Sequence, residues 1–303
     1  MTVTSFRRAI LVVALLLVAR AASAAAELPL HSSRALVVDE ATGQVLVEKN
    51  SQDVAPMASL TKLLTAMVVL DAQQDPDELL TIGTDDLDTL KHTRRGVPVG
   101  HRYTRRSLLE RALLASDNHA ASSLARHFPG GMPAFLDAAR QKIAALGLVR
   151  TTLAEPTGLS PENRSTAADL VAVVSAASAY PDIARITSQA QRTEQPHGEA
   201  DLVRNTNHLV GRKGWDILLS KTGFTNEAGR CLVMRLRSAG RTVLVVLMDA
   251  AAGTGRTLDA LNVNRLIAGA EPVQTLTPEF GGAAPLKRIS KTGGQGRKRS
   301  LVG

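Results

Sequence analysis

A serine and a lysine three residues apart, Ser59 and Lys62, are the pair in this 303-residue chain best suited to nucleophilic chemistry. On one helix, positions i and i+3 share a face, so the hydroxyl and the amine lie within mutual reach. A serine hydroxyl is a poor nucleophile until a base removes its proton. Lysine can be that base when burial or a neighbouring cation keeps it neutral. The residues that follow, Leu63-Leu64-Thr65-Ala66-Met67-Val68-Val69-Leu70, are apolar almost all round. A helix of that composition runs through a core and carries Lys62 inward. Its N-terminus also favours negative charge developing near Ser59. The pattern S-x-x-K occurs once in the chain.

Two further strings supply what this pair lacks. Ser116-Asp117-Asn118 interrupts two helical runs, after Leu113-Leu114 and before Ala120-Ala121. Taken alone it is an N-cap triplet. Beside Ser59 and Lys62, Ser116 can relay a proton between Lys62 and a departing amine, and Asn118 can hold a substrate amide. Lys221-Thr222-Gly223 ends the strand-like run Trp215-Asp216-Ile217-Leu218-Leu219-Ser220. An edge strand there can pair with an extended peptide, and Gly223 lets the backbones approach closely. Lys221 and Thr222 then meet a terminal carboxylate, and Lys221 is a cation placed to lower the pKa of Lys62. The backbone N–H groups of Ser59 and Phe224 are the candidate oxyanion hole. A second copy, Lys291-Thr292-Gly293, sits among glycines and basic residues with no strand around it and is read as carrying no chemistry.

These residues need elements to position them. Arg34–Asp39 and Gln44–Glu48 read as strands joined by Glu40-Ala41-Thr42-Gly43, a hairpin. Helical spacing covers Ala58–Asp71, Thr104–Leu114, Asn118–Phe128, Pro133–Leu146 and Thr166–Ala179. β character returns at Trp215–Thr222, Arg230–Arg237 and Thr242–Asp249, and a helix over Thr257–Ile267 closes the pattern. The five strands most simply form one antiparallel sheet in which the two ends of the chain pack together, with the helical block as an insertion. From about Pro272 onward Gly, Pro, Lys and Arg accumulate, and the tail after Gly281 reads as a segment without fixed structure.

Composition narrows the function classes. Arg7-Arg8, the apolar run Ile10–Ala19 and the small residues Ala22 to Ala26 form a secretory leader over 1–26, so the mature body is expected to work outside the cytoplasm, in the periplasm. The net charge of +8 is confined to the ends: residues 27–286 carry 27 basic and 28 acidic side chains, while 287–303 carries six basic and no acidic ones. A basic patch for nucleic acid is therefore excluded, and 3% aromatics leave no stacking platforms. The tail is read as making at most weak contact with anionic wall polymer or lipid headgroups. Cys231 stands alone, in an apolar strand-like run, as a buried small hydrophobe. The seven histidines show no H-E-x-x-H and no i, i+4 pair, so neither a metal nor a cofactor is expected.

With those strings in place, the chain resembles the serine D-alanyl-D-alanine peptidases, the low-molecular-mass penicillin-binding proteins, and within them the endopeptidase branch. The likeness spans about Ala35 to Asp249. It rests on Ala58-Ser59-Leu60-Thr61-Lys62-Leu63, on Glu155-Pro156-Thr157-Gly158-Leu159-Ser160, on the run from Arg204 to Val210, and on Lys221 to Asn226 with the Ala228-Gly229 and Cys231–Met234 that follow. The resemblance implies a β-lactamase/DD-peptidase-like α/β fold: a five-stranded antiparallel sheet flanked by helices. The catalytic domain would span 27–275, with an all-helical subdomain inserted over about 63–205 and a basic tail over 276–303. It also implies an acyl-enzyme on Ser59, with Lys62 as proton acceptor, Ser116 as third catalytic residue, and Asn118, Lys221, Thr222 and Gly223 as substrate-binding residues. Peptidoglycan stem peptides and their D-Ala cross-links would be the substrates, and β-lactams covalent inhibitors.

Two features point elsewhere. Asp117 gives the second string its β-lactamase form, and Glu155 stands where a glutamate could hydrolyse a β-lactam acyl-enzyme. Against this, Pro156-Thr157-Gly158-Leu159 lacks an asparagine to hold the hydrolytic water. A class A-like β-lactamase is thus the alternative enzyme, and a catalytically silent wall-binding or β-lactam-sensing protein the non-enzymatic one.

The two K-T-G copies provide an internal control. Thr222→Val should weaken turnover of a carboxylate-terminated peptide about tenfold or more, the scale of one hydrogen bond to a charged group. Thr292→Val should change nothing; equal losses in steady-state kinetics would show that the strand context does not distinguish the copies.

Overall fold

The computed structural model describes residues 28–91, 96–195, 200–251 and 254–276. The leader over 1–26, the second Lys-Thr-Gly and the basic tail lie outside the described residues, as do His92 and His197. Five long strands are present: β1 (Ser32–Asp39), β2 (Val45–Lys49), β3 (Asp216–Thr225), β4 (Gly229–Ser238) and β5 (Arg241–Ala250). They form one sheet in the order β2-β1-β5-β4-β3, with every neighbour antiparallel. The first hairpin and the last strands thus meet in the middle of the sheet, with Val37 opposite Val245, as the strand order of the sequence predicts.

The period of two along these strands sends apolar residues to both faces. Val37, Leu232, Met234 and Val245 enter one core, while Leu36, Val233, Leu244 and Val246 enter the other. A sheet covered on both sides is why the strands read as continuous apolar runs rather than as clean alternation. The helices are α1 (Thr61–Asp71), α2 (Arg105–Leu114), α3 (Asn118–Arg126), α4 (Gly131–Ala145), α5 (Ala167–Ser178), α6 (Pro181–Thr187) and α7 (Gly255–Ile267). α7 covers one face through Ala260 and Val263, and α5 covers the other through Leu170, Val173 and Val174. α1 is buried continuously from Thr61 to Val69 and touches α2, α3, α4 and α5. Its all-round apolar surface fits a central helix, and Lys62 goes into the core with it.

Several boundaries differ from the sequence reading. The segment Ala58–Leu60 is a 3₁₀ turn, and the α-helix begins only at Thr61. β3 continues past Thr222 to Thr225, because Gly223 and Phe224 still pair with Cys231 and Arg230. The short helix α6 is absent from the sequence reading. Its signals were Pro181 at the first helical turn and the buried pair Ile183 and Ile186 three residues apart. Three two-stranded ribbons were also missed: Ala55–Pro56 with Arg164–Ser165, Leu79–Thr81 with Arg102–Thr104, and Gln191–Glu194 with Asp201–Arg204. Strands of two to four residues carry too little alternation to register. Cys231 is fully buried, and burial pushes its thiol up to about 11, so it is an inert core residue.

The end of the chain is tied to its beginning by Asp259 on α7. Its buried carboxylate accepts hydrogen bonds from the backbone N–H of His31 (2.8 Å) and of Ser32 (2.7 Å) and from Ser32 Oγ (2.6 Å). Asp259→Ala would leave the Ser32 amide buried without a partner. The expected loss is about 2–3 kcal/mol of unfolding free energy, read as a lower urea midpoint at unchanged m-value.

Candidate active site

Ser59 sits in the 3₁₀ turn at the mouth of α1, half-buried, on a backbone that requires outside support. The preceding residue, Ala58, has φ +47°, a left-handed conformation that costs a non-glycine residue about 1–3 kcal/mol unless its surroundings impose it. The surroundings are the loop 154–163. Gly158, at φ +86°, packs so closely that a Cβ there would lie 2.0 Å from Ala58 O and 2.8 Å from Ser59 N. On the same side Met57 N donates to Asn163 O (2.9 Å), and Thr61 Oγ1 donates to Ala58 O (2.8 Å). From the other side Gly223 approaches the turn, where a Cβ would lie 3.2 Å from Ser59 N. Two glycines therefore clamp the nucleophile's backbone, one from the loop and one from β3.

Lys62 lies one turn further in, 1% exposed. Its Nζ reaches Ser59 Oγ at 3.0 Å, Asn118 Oδ1 at 2.7 Å and Thr157 O at 2.6 Å. Three acceptors satisfy an ammonium. A neutral amine is equally well served, because two N–H groups can go to Asn118 and Thr157 while the nitrogen lone pair accepts the Ser59 hydroxyl proton. Burial lowers this lysine to about 8, against the opposing negative charges of Glu155, Asp117 and Asp88. The sequence reading offered burial or a neighbouring cation, Lys221, as the cause of such a shift. Burial is the main one, and the repulsion between the amines weighs on Lys221.

Lys221 is also 1% exposed, and burial, then the charges of Lys62 and Arg256, hold its pKa well below the ordinary lysine value. Its Nζ donates to Ser116 Oγ (2.8 Å) and to Thr222 O (3.0 Å). Ser116 has φ +61°, a second left-handed non-glycine residue at the site. The sequence reading placed Ser116 as a relay to Lys62. Among the described hydrogen bonds it is joined to Lys221 instead, so in this geometry the Ser116 hydroxyl stands on the Lys221 branch of the cleft. Asn118 reaches the site because Asp117 caps α3: Oδ1 accepts from Ala120 N (3.1 Å) and Oδ2 from Val97 N (2.9 Å).

Thr222 Oγ1 lies 2.6 Å from Thr206 Oγ1, a partner that the sequence reading did not single out. Arg256 was missed as well. It places a guanidinium near Lys221, with Nη1 donating to Cys231 O (3.0 Å), and burial lowers its pKa to about 10. Neither stands near Lys221 in sequence, and only the packing of α7 and of the 205–210 segment against β3 and β4 brings them in. β3 is an edge strand, so among the described residues the backbone groups along its outer side have no strand partner. The Phe224 side chain projects outward, 53% exposed, under the Arg230 guanidinium at 4.8 Å. Across the cleft, Lys91 forms an ion pair with Glu227 in the β3–β4 turn.

Glu155 has a structural position. Its Oε2 accepts from Thr157 N (2.7 Å) and Thr157 Oγ1 (2.6 Å), and its Oε1 from Gly158 N (2.7 Å), Ser160 N (3.2 Å) and Asn163 Nδ2 (3.0 Å). Both oxygens are engaged in shaping the loop that holds Ala58 and presents Thr157 O to Lys62. A carboxylate so occupied is badly placed to activate a water.

Comparison with known proteins agrees with this arrangement. The family model described as D-alanyl-D-alanine carboxypeptidase, peptidase S11, matches residues 20–252. The chain is 44% identical over 238 residues to a D-alanyl-D-alanine endopeptidase of Pseudomonas aeruginosa, covering 78% of this chain and 77% of that one. It is 42% identical over 232 residues to a D-alanyl-D-alanine endopeptidase of Escherichia coli K12, covering 76% and 75%. Among solved structures, a D-alanyl-D-alanine carboxypeptidase from Mycobacterium tuberculosis H37Rv matches with a TM-score of 0.70 at 30% identity, over 80% of this chain and 92% of that one. The Streptomyces K15 DD-transpeptidase matches with a TM-score of 0.71 at 25% identity, over 78% and 96%. The chain belongs to the D-alanyl-D-alanine carboxypeptidase family and has the DD-peptidase fold.

The clamp on Ala58 makes Gly158 a sensitive position. Gly158→Ala should cost at least about 2 kcal/mol, from a strained φ and a clash with main chain that cannot swing aside. Any folded fraction should also acylate with a fluorescent penicillin far more slowly than the native protein, measured by gel fluorescence over time.

Proposed function

We infer that this protein is a serine D-alanyl-D-alanine peptidase that cleaves peptidoglycan stem peptides and their cross-links through an acyl-enzyme on Ser59. The observation that carries the reading is the Lys62 amine, lowered to about 8 and 3.0 Å from the Ser59 hydroxyl. Neutral Lys62 takes the hydroxyl proton as Ser59 Oγ attacks the carbonyl of a D-alanine. The tetrahedral oxyanion faces the backbone N–H groups of Ser59 and Phe224, donors that need no rearrangement as charge develops. As the carbonyl reforms, the bond to the leaving amine breaks, and that amine takes the proton that Lys62 accepted from Ser59, handed on through the Ser116 hydroxyl once the substrate carboxylate has replaced it at Lys221. Water then attacks the ester, returning the serine and releasing the new D-alanyl carboxylate. A β-lactam follows the same first step, and its leaving group stays tethered to the acyl-enzyme.

Substrate binding and base strength are linked through Lys221. Burial and the charges of Lys62 and Arg256 hold its pKa well below the ordinary lysine value. A substrate carboxylate at Lys221 and Thr222 supplies a counter-charge and favours the Lys221 cation. That cation disfavours a proton on Lys62, so a correct substrate strengthens its own base. Asn118 holds the amide before the scissile D-alanine, and the free edge of β3 aligns the peptide backbone.

Cleavage of the terminal D-alanine and cleavage of a cross-link both attack a D-alanine carbonyl and differ only in the amine released. The names of the Pseudomonas and Escherichia relatives support the cross-link as the preferred target here. The leader pattern over 1–26 supports export to the periplasm, where peptidoglycan lies, and the basic run 287–303 suits weak attraction to anionic wall or membrane surfaces. Digestion of purified cross-linked muropeptides tests the whole reading: monomeric stems are the expected product. Unaltered dimers, together with an unlabelled Ser59 after penicillin treatment, would defeat it.

The pH dependence has a definite sign. The Lys62 pKa is lowered from its ordinary value, so the neutral base is scarce below pH 8 and plentiful above it. Acylation should accelerate as pH rises through about 8 and level off beyond. Lys62→Arg should lose that limb and run about 10²–10⁴-fold slower, because a guanidinium stays protonated. Stopped-flow acylation rates across pH 6–10 would show both effects.

A further inference from the structure

A cavity of about 480 Å³ lies beside the N-terminal half of α2. Its walls are the ribbon strands Arg102–Thr104 and Gln191–Glu194 and the first two turns of that helix. None of the residues lining it belongs to the Ser59 cleft. The volume falls within the roughly 300–1,000 Å³ of sites that take small molecules.

Two buried carboxylates line this cavity, and each keeps one oxygen open. Glu110 is 1% exposed; its Oε1 pairs with Arg192 and, at 3.4 Å, with Arg185, while its Oε2 has no hydrogen-bond partner among the described residues. Glu194 is 8% exposed, and its Oε2 accepts from Ser107 Oγ and Arg111 Nε, both at 2.9 Å. Its Oε1 has no hydrogen bond among the described residues, only Arg192 Nε at 4.0 Å. Buried polar oxygens are ordinarily hydrogen-bonded, and a charged one left open is costly. Burial raises the Glu110 carboxyl above its ordinary value even against Arg192 and Arg185, as expected of a group short of donors. Arg192, with its side chain 36% exposed, is the group that both carboxylates share. Ligand donors that slide in beside its guanidinium would complete both.

The lining narrows the ligand. Arg102, Arg106 and Arg192 stand against Glu110, Glu194 and the Asp77 that pairs with Arg106, so three guanidiniums face three carboxylates and neither a cation nor an anion gains. Leu79, 49% exposed at the mouth, adds an apolar face. A neutral ligand with adjacent hydroxyls fits this set, because each hydroxyl can donate to a carboxylate and accept from a guanidinium. An N-acetylated sugar adds an amide carbonyl for an arginine and a ring face of C–H groups for Leu79. We propose that the cavity is a glycan-binding site that takes a sugar unit of the peptidoglycan strand whose stem peptides enter the Ser59 cleft; the choice of wall glycan rests on the peptidase reading above. α2 is about 15 Å long, and Ser116 follows its other end. A strand held here keeps its stems within reach of the nucleophile.

The probe is the tetramer of N-acetylglucosamine, which carries the sugar without a stem peptide and without charge for the basic run 287–303 to meet. Titration calorimetry on the full chain should give a Kd on the order of 1 mM or tighter. Glu110→Gln keeps an acceptor for Arg192 and Arg185 but turns the open oxygen into an N–H donor, and should weaken binding about tenfold or more. Thr193→Trp changes an exposed ribbon residue on the cavity wall, fills the space and should abolish binding. Both variants should acylate with fluorescent penicillin at the native rate, which reports an intact fold and an intact Ser59 site. No tetramer binding by the native chain, or equal binding by all three proteins, would overturn the proposal and leave the peptidase reading standing. So would displacement of the tetramer by millimolar 1,5-diaminopentane, the mark of an ammonium site. A native chain that takes no penicillin label and leaves cross-linked muropeptides intact would overturn the peptidase reading, and with it the assignment to wall glycan.

Discussion

Two lysine amines share one dry cleft, and much of the molecule is arranged to make that tolerable. A fully buried ammonium is costly unless it is paired and hydrogen-bonded, and two near each other also repel. Lys62 and Lys221 meet this constraint differently. Lys62 is surrounded by three oxygen acceptors and by the more distant charges of Glu155, Asp117 and Asp88, so it retains a proton up to about pH 8. Lys221 has two oxygens and faces Lys62 and Arg256, and burial together with those charges holds its pKa well below the ordinary lysine value. The asymmetry leaves a site short of negative charge at the Lys221 end, which a carboxylate-bearing peptide can supply. Recognition and activation of the nucleophile thereby draw on the same electrostatic deficit.

Holding these amines in place needs rigid walls, and the loop 154–163 provides one. Its framework is a single carboxylate, Glu155, folded back onto its own backbone amides, and Asn163 bonded across to Thr61. The loop positions Thr157 O for Lys62 and sets Gly158 against Ala58, which keeps that alanine in a left-handed conformation. Ser116, the other left-handed residue of the cleft, is held between the end of α2 and the cap of α3, where Asp117 N donates to Arg111 O. Strain at the two serine-bearing turns is thus balanced by hydrogen bonds among the residues around them.

The sheet supplies the other wall and divides the labour between its strands. β5 and β4 are central and buried on both faces, and they connect the two ends of the chain into one core. β3 is left at the edge, and there the Lys-Thr-Gly run borders the cleft. An edge strand is usually a liability for aggregation. Here the edge carries the Lys-Thr-Gly run, and Gly223 brings it within contact of the Ser59 amide.

The primary structure by itself marked the candidate nucleophile, its candidate base and the partner strings, because Ser59–Lys62, Ser116–Asn118 and Lys221–Gly223 each obey a local spacing that such chemistry requires. It also indicated five strands in one antiparallel sheet with the two ends of the chain packed together, since long apolar runs bounded by turn residues mark the strands and their hairpins. The fully apolar α1 announced the burial of Lys62. What only the tertiary structure decided are relations between segments far apart in the chain. Arg256 and Thr206 join the site through packing. Ser116 bonds to Lys221 rather than Lys62. Burial outweighs the neighbouring amine in lowering Lys62. Glu155 builds a loop. The short α6 and the two- to four-residue ribbons were likewise invisible, since their stability comes from contacts with other elements and leaves almost no periodic trace. Spacing along a chain fixes which groups can share a turn or a face. Which way a buried charge is shifted, and which hydroxyl it meets, depends on every charge and oxygen that the fold gathers around it.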